Sequence, residues 1–239
     1  MAVLRGPHGM TLGRLTLDAR STQLVWFVGG ALLGFLIPYL FSSLLGLQHD
    51  LYYALYFALV GLFLTAYVRT TGVSVRGTFT RGLPLTVVVG IIIAGLEVTN
   101  ILRTSPVTAH PTGAYFGFEL LWRGALYGTV DALLLSAFPA LVAFGLLGGN
   151  LGSVVRHIGF AAVALVLTVV VTGTYHLGYT QFRQDGIRGP EQGNIIMTAP
   201  TLLDANPVGS VIAHAAMHVT ANVHSYETPL YLPPATTAR

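Results

Sequence analysis

The feature that most constrains this chain is a series of apolar segments, each about 20 residues long, separated by short polar or proline-containing stretches. About 20 consecutive apolar residues are needed for a helix to cross the hydrocarbon core of a bilayer. Only 9% of the residues are charged and 53% are hydrophobic, whereas about a quarter of an ordinary soluble domain is charged. We therefore predict an integral, multi-pass membrane protein that contacts membrane lipids.

These segments predict an all-α fold, a multi-span transmembrane helical bundle of about six to eight helices over residues 22–227. Residues 1–21 are predicted to form an N-terminal cytoplasmic segment, and residues 228–239 a flexible C-terminal tail. One apolar stretch is longer than a simple span, so it is either a strongly tilted helix or a short helix joined to a full one near Gly124–Gly128. The predicted spans, of which this stretch is the fourth, are 22–47, 51–68, 83–102, 115–148 and 154–177.

The last third of the chain is less regular. A polar loop is predicted at 180–192, and the apolar stretch after it is interpreted as a separate, partial crossing. Asn206 and Pro207 predict the start of a final helix, because asparagine favours the N-cap and proline the first helical position. In the second span, Tyr52, Tyr53 and Tyr56 are interpreted as an interfacial aromatic belt.

Charge and cysteine content restrict the partners and the topology. The net charge of +3 is small, so no nucleic-acid partner is predicted, and the absence of cysteine excludes disulfides and thiolate chemistry. All twelve basic residues are arginine, and they are unequally divided between the two ends of the spans. Because arginine is enriched in cytoplasmic loops, this bias favours a cytoplasmic N-terminus, and we predict a location in the plasma membrane of a prokaryote.

Ionisable residues interrupt the apolar pattern most clearly in "GFELLWRGALYGTVDA". Glu119, Arg123, Tyr127 and Asp131 follow one another in steps of four, so on a helix they form one polar stripe that must face protein or water. Arg123 is interpreted as half of an internal ion pair. For Glu119, structural and catalytic roles stay equally open, and Asp131 and Glu97 are interpreted as structural or interfacial.

Histidines of the fifth predicted span and of the final predicted helix form the other notable group. His214, His218 and Asn222 are also spaced by four, and two imidazoles one turn apart suit a metal ion. His176 lies at the end of the fifth span, on the membrane side where Glu119 begins the fourth. The alternative is that these histidines are polar contacts between helices.

Three stretches, "FELLWRG", "YHLGY" and "NPVGSVIAHAAMH", resemble in order and context the three motifs of the CPBP family. This is the CAAX-protease and bacteriocin-processing group of intramembrane metalloproteases. The motifs are Glu-Glu-x-x-x-Arg-Gly, Phe-x-x-x-His and His-x-x-x-Asn/Asp, and the resemblance covers residues 114–224. The sequence departs from them at Phe118, Thr172 and His218, where the family has its first glutamate, a phenylalanine, and an asparagine or aspartate.

The resemblance implies an intramembrane metalloendopeptidase that cleaves a membrane-associated peptide or protein. Glu119, His176 and His214 would be the catalytic residues, and Arg123, His218 and Asn222 would support the oxyanion or the site. The implied cofactor is a divalent metal such as zinc, held by His176, His214 and His218. The family's site opens toward the cytoplasm, whereas a cytoplasmic N-terminus places Glu119 and His176 at the opposite face, so the two expectations differ by one crossing.

Two other functions remain open. Phe118 replaces a family glutamate, so the chain is alternatively a catalytically inactive relative that serves as a membrane scaffold. A less favoured class is a bis-histidine haem protein or a small transporter that uses Glu97, Asp131 and the histidines, because helical bundles hold haem through axial histidines. Loss of cleavage on substitution of Glu119 or His176 would favour the peptidase, and a Soret band would favour haem.

Overall fold

The fold is given by a computed structural model that describes residues 18–228 and 230–233, together with the backbone of residues 11–12 and 15–16. Two two-residue strands, β1 (Thr11–Leu12) and β2 (Leu15–Thr16), pair as an antiparallel hairpin before the first helix. All other regular structure in the described residues is helical. The α-helices are α1 (Ala19–Ile37), α2 (His49–Thr71), α3 (Val75–Thr80), α4 (Leu83–Thr104), α5 (Gly113–Glu119), α6 (Tyr127–Ala132), α7 (Phe138–Leu146), α8 (Val154–Leu177), α9 (Thr180–Asp185), α10 (Arg188–Asp204) and α11 (Val208–His224).

Five helical segments are long and apolar enough to cross a membrane. They coincide closely with the five predicted spans, because length and apolarity alone define such segments. Their exposed side chains are largely leucine, isoleucine and valine, as expected of surfaces that face lipid. The prediction of an all-α helical bundle is confirmed, and these segments indicate an integral membrane protein: Ala19–Leu44, His49–Thr71, Leu83–Thr104, Gly113–Leu146 and Val154–Leu177.

The fourth of these segments, Gly113–Leu146, is the central helix of the bundle. Its most apolar window is 67% buried, against 22–28% in the other four. It is one continuous helix in which α5, α6 and α7 are joined by two π-helical turns, Leu120–Leu126 and Leu133–Ala137. A third π-helical turn, Pro38–Leu44, continues α1 from the proline onward. Of the two alternatives predicted for this stretch, a tilted helix or two helices joined near Gly124–Gly128, the structure has one continuous helix that contains wide i→i+5 π-helical turns.

The region predicted as the polar loop 180–192 is instead largely helical, since α9 occupies its first half and α10 begins at Arg188. Ala205 adopts a left-handed conformation (φ 53°) and ends α10. The side chain of Asn206 then accepts a hydrogen bond from Val208 N at 3.0 Å, so α11 starts where the sequence predicted. α11 lies against α4, and the close backbone approach depends on Gly90 and Gly209, where a Cβ would collide with the facing backbone.

The tyrosines of α2 do not form an interfacial belt, so that prediction was wrong. Tyr52, Tyr53 and Tyr56 are completely buried. Their rings pack against tyrosines of the central helix and α8, and their hydroxyl groups have protein hydrogen-bond partners. A buried tyrosine hydroxyl requires such a partner, and the bundle provides one for each ring. This aromatic core lies behind the histidine-bearing helices and includes Tyr52, Tyr53, Tyr56, Tyr127, Tyr175 and Tyr179.

Candidate functional site

A cavity of about 420 Å³ lies between α4, the central helix, α8, α10 and α11. We call it the histidine cavity, because all three histidines singled out in the sequence line it. His176 comes from α8, and His214 and His218 come from α11, so two separate helices bring these three side chains to one cavity. The ionisable and amide side chains of its wall are Glu97, Asn100, Asp131, His176, Gln192, Asn194, His214 and His218.

One buried face of α11 supplies two of the imidazoles. Ser210, His214, His218 and Asn222 are spaced by four, and all four are buried. This confirms that the predicted stripe faces protein. Asn222 does not line the cavity; its amide donates to the carbonyl of His218 at 2.9 Å within the same helix. Asn222 was predicted to support the site, and in the structure its side chain bonds within α11 rather than forming part of the cavity wall.

Asp131 of α6 is the carboxylate closest to these imidazoles. Its Oδ2 lies 3.6 Å from His218 Nε2, and both side chains are buried. The hydroxyl of Tyr56 donates to Oδ1 of the same carboxylate at 3.1 Å. The edge of the His218 ring packs against Tyr127, with 4.6 Å between the ring centroids. Apart from the contact with Asp131, neither nitrogen of His218 has a hydrogen-bond partner among the described residues.

The other two imidazoles are fixed by their own helices. His176 Nδ1 lies 2.8 Å from the carbonyl of Thr172, and His214 Nδ1 lies 2.9 Å from the carbonyl of Ser210. Because a carbonyl only accepts, His176 Nδ1 carries the hydrogen, and in the neutral ring its Nε2 then carries the lone pair. His214 Nε2 is 2.9 Å from Asn194 Oδ1, which also only accepts, so a neutral His214 ring donates either to Asn194 or to Ser210 but not to both. His176 lines the cavity, and its Nε2 has no hydrogen-bond partner in the described part of the chain.

The donor set does not fit the zinc site that the resemblance implied. Among the described residues, no group of three or more histidine, cysteine, aspartate or glutamate side chains is arranged to hold a metal ion. His214 Nε2, which would have to ligate, is instead paired with Asn194. A tetrahedral zinc site needs at least three protein ligands directed at one point. The prediction that His176, His214 and His218 form such a set is therefore not supported by their placement.

Glu119 and Arg123 lie outside the histidine cavity. Their charged groups are 3.9 Å apart, one turn of the central helix from each other, and both side chains are only 1% exposed. Glu119 also accepts a hydrogen bond from the hydroxyl of Tyr226 at 3.1 Å, and Arg123 Cζ lies 4.4 Å from the centre of that ring. Burial raises the pKa of Tyr226, which therefore stays a neutral donor. The structure therefore does not bring Glu119 into the cavity that His176 lines.

Three polar residues of the site were given too little weight by the sequence reasoning or were not identified. Asp131 belongs to the same series of residues spaced by four as Glu119, and that spacing was the signal that could have identified Asp131 as a site residue. Glu97 was noted only as structural or interfacial, although it lines the cavity. Asn194 had no distinguishing pattern, because it was assigned to an irregular stretch. In the structure its amide group contacts Ser136, Thr172 and His214 from three different helical segments.

Comparison with known proteins adds no relative: no family model, no curated protein and no solved structure matches this chain.

Proposed function

We propose that this chain is an intramembrane endopeptidase of the CPBP type, which hydrolyses a peptide bond of a membrane-associated substrate in the histidine cavity. The observation that carries the proposal is the buried pair formed by Asp131 and His218 beside two further imidazoles with fixed ring orientations. Ionisable groups inside a membrane bundle are costly, and a cluster of them around open space is typical of a functional site.

In this proposal His218 is the general base. The neighbouring carboxylate of Asp131 favours the tautomer with hydrogen on Nε2, since it lies 3.6 Å from that nitrogen. Nδ1 then has a free lone pair that accepts a proton from water as the water oxygen attacks the substrate carbonyl carbon. Asp131 stabilises the resulting imidazolium. The proton passes from His218 to the leaving amine when the tetrahedral intermediate collapses, so the reaction consumes one water and no further reagent.

His176 orients the attacking water. Its Nδ1–H is engaged by the carbonyl of Thr172, so its Nε2 lone pair is available to a water hydrogen. His214 is held between Ser210 and Asn194 and keeps the wall of the cavity polar at that point. Fixed side chains of this kind reduce the reorganisation needed to reach the transition state. Glu119 and Arg123 take no part in the proton transfers of this scheme, and no step requires a metal ion.

The proposal is tested by cleavage of a membrane-anchored peptide in proteoliposomes. Asp131→Asn and His218→Gln keep the side-chain size and should each reduce the cleavage rate by about 10²–10⁴-fold, the contribution expected of a positioned general base. Asp50→Asn is the matched control, because Asp50 is a carboxylate that contacts Tyr115 rather than the cavity. It should cleave at the normal rate.

Two results would overturn the proposal. Cleavage at the wild-type rate by folded Asp131→Asn and His218→Gln would remove this pair from the mechanism. The absence of cleavage from wild-type protein that still binds membrane peptides would instead support the inactive scaffold.

A small proton-coupled transporter is the second candidate, favoured by one specific observation. Buried tyrosine hydroxyls bond to each other behind the cavity: Tyr127 to Tyr175 and Tyr175 to Tyr179, each at 2.7 Å. Tyr56 connects the same aromatic core to Asp131. Intramembrane chains of this kind are typical of proton pathways. Proton uptake into vesicles that Tyr175→Phe abolishes would favour transport, whereas no uptake with intact cleavage would favour the peptidase.

We propose a cytoplasmic N-terminus and a location in a prokaryotic plasma membrane, as the arginine distribution predicts. The contacts between chain segments support a consistent assignment of sides. Arg81 donates to the carbonyl of Asp204, so the start of α4 and the end of α10 lie together. At the opposite side, His224 contacts the carbonyl of Ser105 just after α4. His176 lies at the end of α8 on this second side, so the histidine cavity would face away from the cytoplasm.

A further inference from the structure

The segment that follows α11 closes one side of the histidine cavity. We call this segment, Ser225–Pro233, the strap; residue 229 within it is not described. Leu230, Tyr231 and Pro233 line the cavity, and Leu232 is completely buried. These residues belong to the predicted flexible tail, yet Tyr231, Leu232 and Pro233 are buried in the bundle.

Two side chains of the bundle hold the strap by its backbone. Arg123 Nη2 donates to the carbonyl of Leu232 at 3.1 Å, and the hydroxyl of Tyr53 donates to the carbonyl of Pro233 at 2.7 Å. Both donors are buried and come from different helices. Contacts to two consecutive carbonyl groups recognise a peptide backbone and are indifferent to which side chains it bears.

Arg123 has more donor capacity than the strap uses. Its Nε and Nη1 are buried and have no hydrogen-bond partner among the described residues, although Glu119 lies 3.9 Å from Nη1. A buried donor without a partner is destabilising, so folded proteins rarely keep one without a use. Peptide carbonyls are the groups that Arg123 already binds, and a longer or differently placed backbone would satisfy the remaining donors.

An apolar pocket lies beside these donors. The side chains of Tyr231 and Leu232 belong to a buried cluster that also contains Ile101, Met197 and Met217. Methionine is flexible and polarisable, so a pocket walled by two methionines accepts apolar side chains of different shapes. We call the surface under the strap the groove. It combines the donors Arg123 and Tyr53, which bind a peptide backbone, with an apolar pocket that accepts different side chains.

We propose that this groove is a binding site for a neutral, apolar peptide segment of another membrane-associated chain, and that the strap occupies it in the closed state. An incoming peptide of the Leu-Tyr-Leu-Pro type displaces the strap and reaches the histidine cavity. The apparent affinity for such a peptide is reduced by the fraction of molecules in which the strap is seated. The idea that the bound peptide is then cleaved rests on the proposed function, whereas binding itself does not.

A disulfide between the strap and α10 tests the proposal directly. The chain contains no cysteine, and a Cβ on Gly189 would lie 3.4 Å from Leu230 Cδ1, so side chains at these two positions are in contact and Gly189→Cys/Leu230→Cys is the pair chosen for cross-linking. Both positions are exposed to oxidant. The probe is a fluorescent peptide with the sequence of residues 228–235, TPLYLPPA, which contains the last part of the strap. Its binding to the detergent-solubilised full chain is followed by fluorescence polarisation.

The oxidised double variant should bind the probe at least about tenfold more weakly than its reduced form, and reductant should restore binding. Each single cysteine variant is a control that should not respond to oxidation. A probe with aspartate in place of its second leucine should fail to bind, because Leu232 is buried in the groove. Equal binding by the oxidised and reduced double variant would overturn the proposal.

A second variant loosens the strap without altering the groove. Glu227 N donates to the side chain of Thr108 at 3.0 Å, an anchor outside the cavity. Thr108→Val removes that acceptor. Because one hydrogen bond contributes about 1 kcal/mol, its loss should make the seated strap about fivefold less favourable, and the probe should bind about fivefold more tightly. Unchanged affinity in Thr108→Val would count against a strap that competes with the ligand. Because the readout is binding, these results are informative even if wild-type protein cleaves no peptide.

Discussion

The two ends of the polar stripe on the central helix make a useful comparison. Glu119 and Arg123 form an ion pair within one helix, and the strap covers both of them. Asp131 pairs across helices with His218 and faces a cavity. Both pairs are almost completely buried, and Glu119, Arg123 and Asp131 belong to one series of residues spaced by four on the central helix. They differ in what lies beside them, since one faces packed protein and the other faces open space.

This difference separates structural charges from charges available for chemistry. A buried ion pair contributes little net stability, yet removal of one partner is strongly destabilising because the other charge stays buried. Glu119 and Arg123 fit that description, and their contacts hold the strap. His218 Nε2 faces Asp131, and Nδ1 has no hydrogen-bond partner among the described residues, so Nδ1 is the nitrogen that the proposed mechanism uses as the proton acceptor. Motif resemblance directed attention to Glu119, whereas access to the cavity favours Asp131.

The largest expected effect is on stability at the strap end of the stripe. Arg123→Ala leaves Glu119 buried without its cation and releases the carbonyl of Leu232. We expect the free energy of unfolding to fall by about 3–5 kcal/mol, the usual cost of breaking a buried pair. Denaturant titration in detergent micelles measures it.

The matched variant at this end is Glu119→Gln. It removes the carboxylate charge but keeps an acceptor for Tyr226, so its cost should be smaller than that of Arg123→Ala. Folded Glu119→Gln should cleave at nearly the wild-type rate. A loss as large as that of Asp131→Asn, in protein of normal stability, would reverse the assignment of the two ends.

An intermediate effect distinguishes two tyrosines one turn apart on α2. Tyr56 donates to Asp131 in the cavity, and Tyr53 donates to Pro233 in the strap. Tyr56→Phe should slow cleavage about tenfold and alter its pH profile, because Tyr56 positions the carboxylate that supports His218. Tyr53→Phe loses a hydrogen bond of similar kind, worth about 1 kcal/mol of stability.

The pair of variants serves as its own control. Tyr53→Phe should leave the pH profile of cleavage unchanged, because Tyr53 does not contact Asp131. Identical pH profiles for Tyr53→Phe and Tyr56→Phe would show that the two ends of the stripe act as one unit.

The membrane-spanning segments could be predicted because their cause is local. A bilayer demands a certain length of apolar helix, and each span meets this demand without help from the rest of the chain. The burial of the polar stripe followed from the same reasoning, since a charge cannot face lipid. The start of α11 at Val208, just after Asn206 and Pro207, was also local, because capping depends on neighbouring residues alone.

Pairing between helices was not predictable, because it depends on tertiary packing. A tyrosine near a helix end satisfies its hydroxyl either at the membrane surface or inside the bundle, and the sequence of α2 is compatible with both. Asp131 and His218 are far apart in sequence, and only the packing of α11 against the central helix brings them together. The π-helical turns change the register along that helix, so steps of four did not keep Glu119 on the cavity side.

The smallest expected effect involves a carboxylate that has no charged partner among the described residues, and it measures what burial alone does to a carboxyl group in this bundle. Glu191 lies in the first turn of α10, outside the five membrane-spanning segments, and burial alone raises its pKa to about 7. In the unfolded chain its pKa is lower, so the folded state binds the proton more tightly. Stability from this group is therefore complete below the unfolded pKa and is lost as the pH rises through about 7.

The wild-type melting temperature should fall between pH 5 and pH 8 by on the order of 2 °C more than that of Glu191→Gln, since the amide cannot ionise. Thermal unfolding of both proteins at the two pH values measures the difference, and equal pH dependence would show that burial without a cation does not perturb a carboxyl in this bundle. In that case the contrast between Glu119 and Asp131 would have to arise from their partners alone.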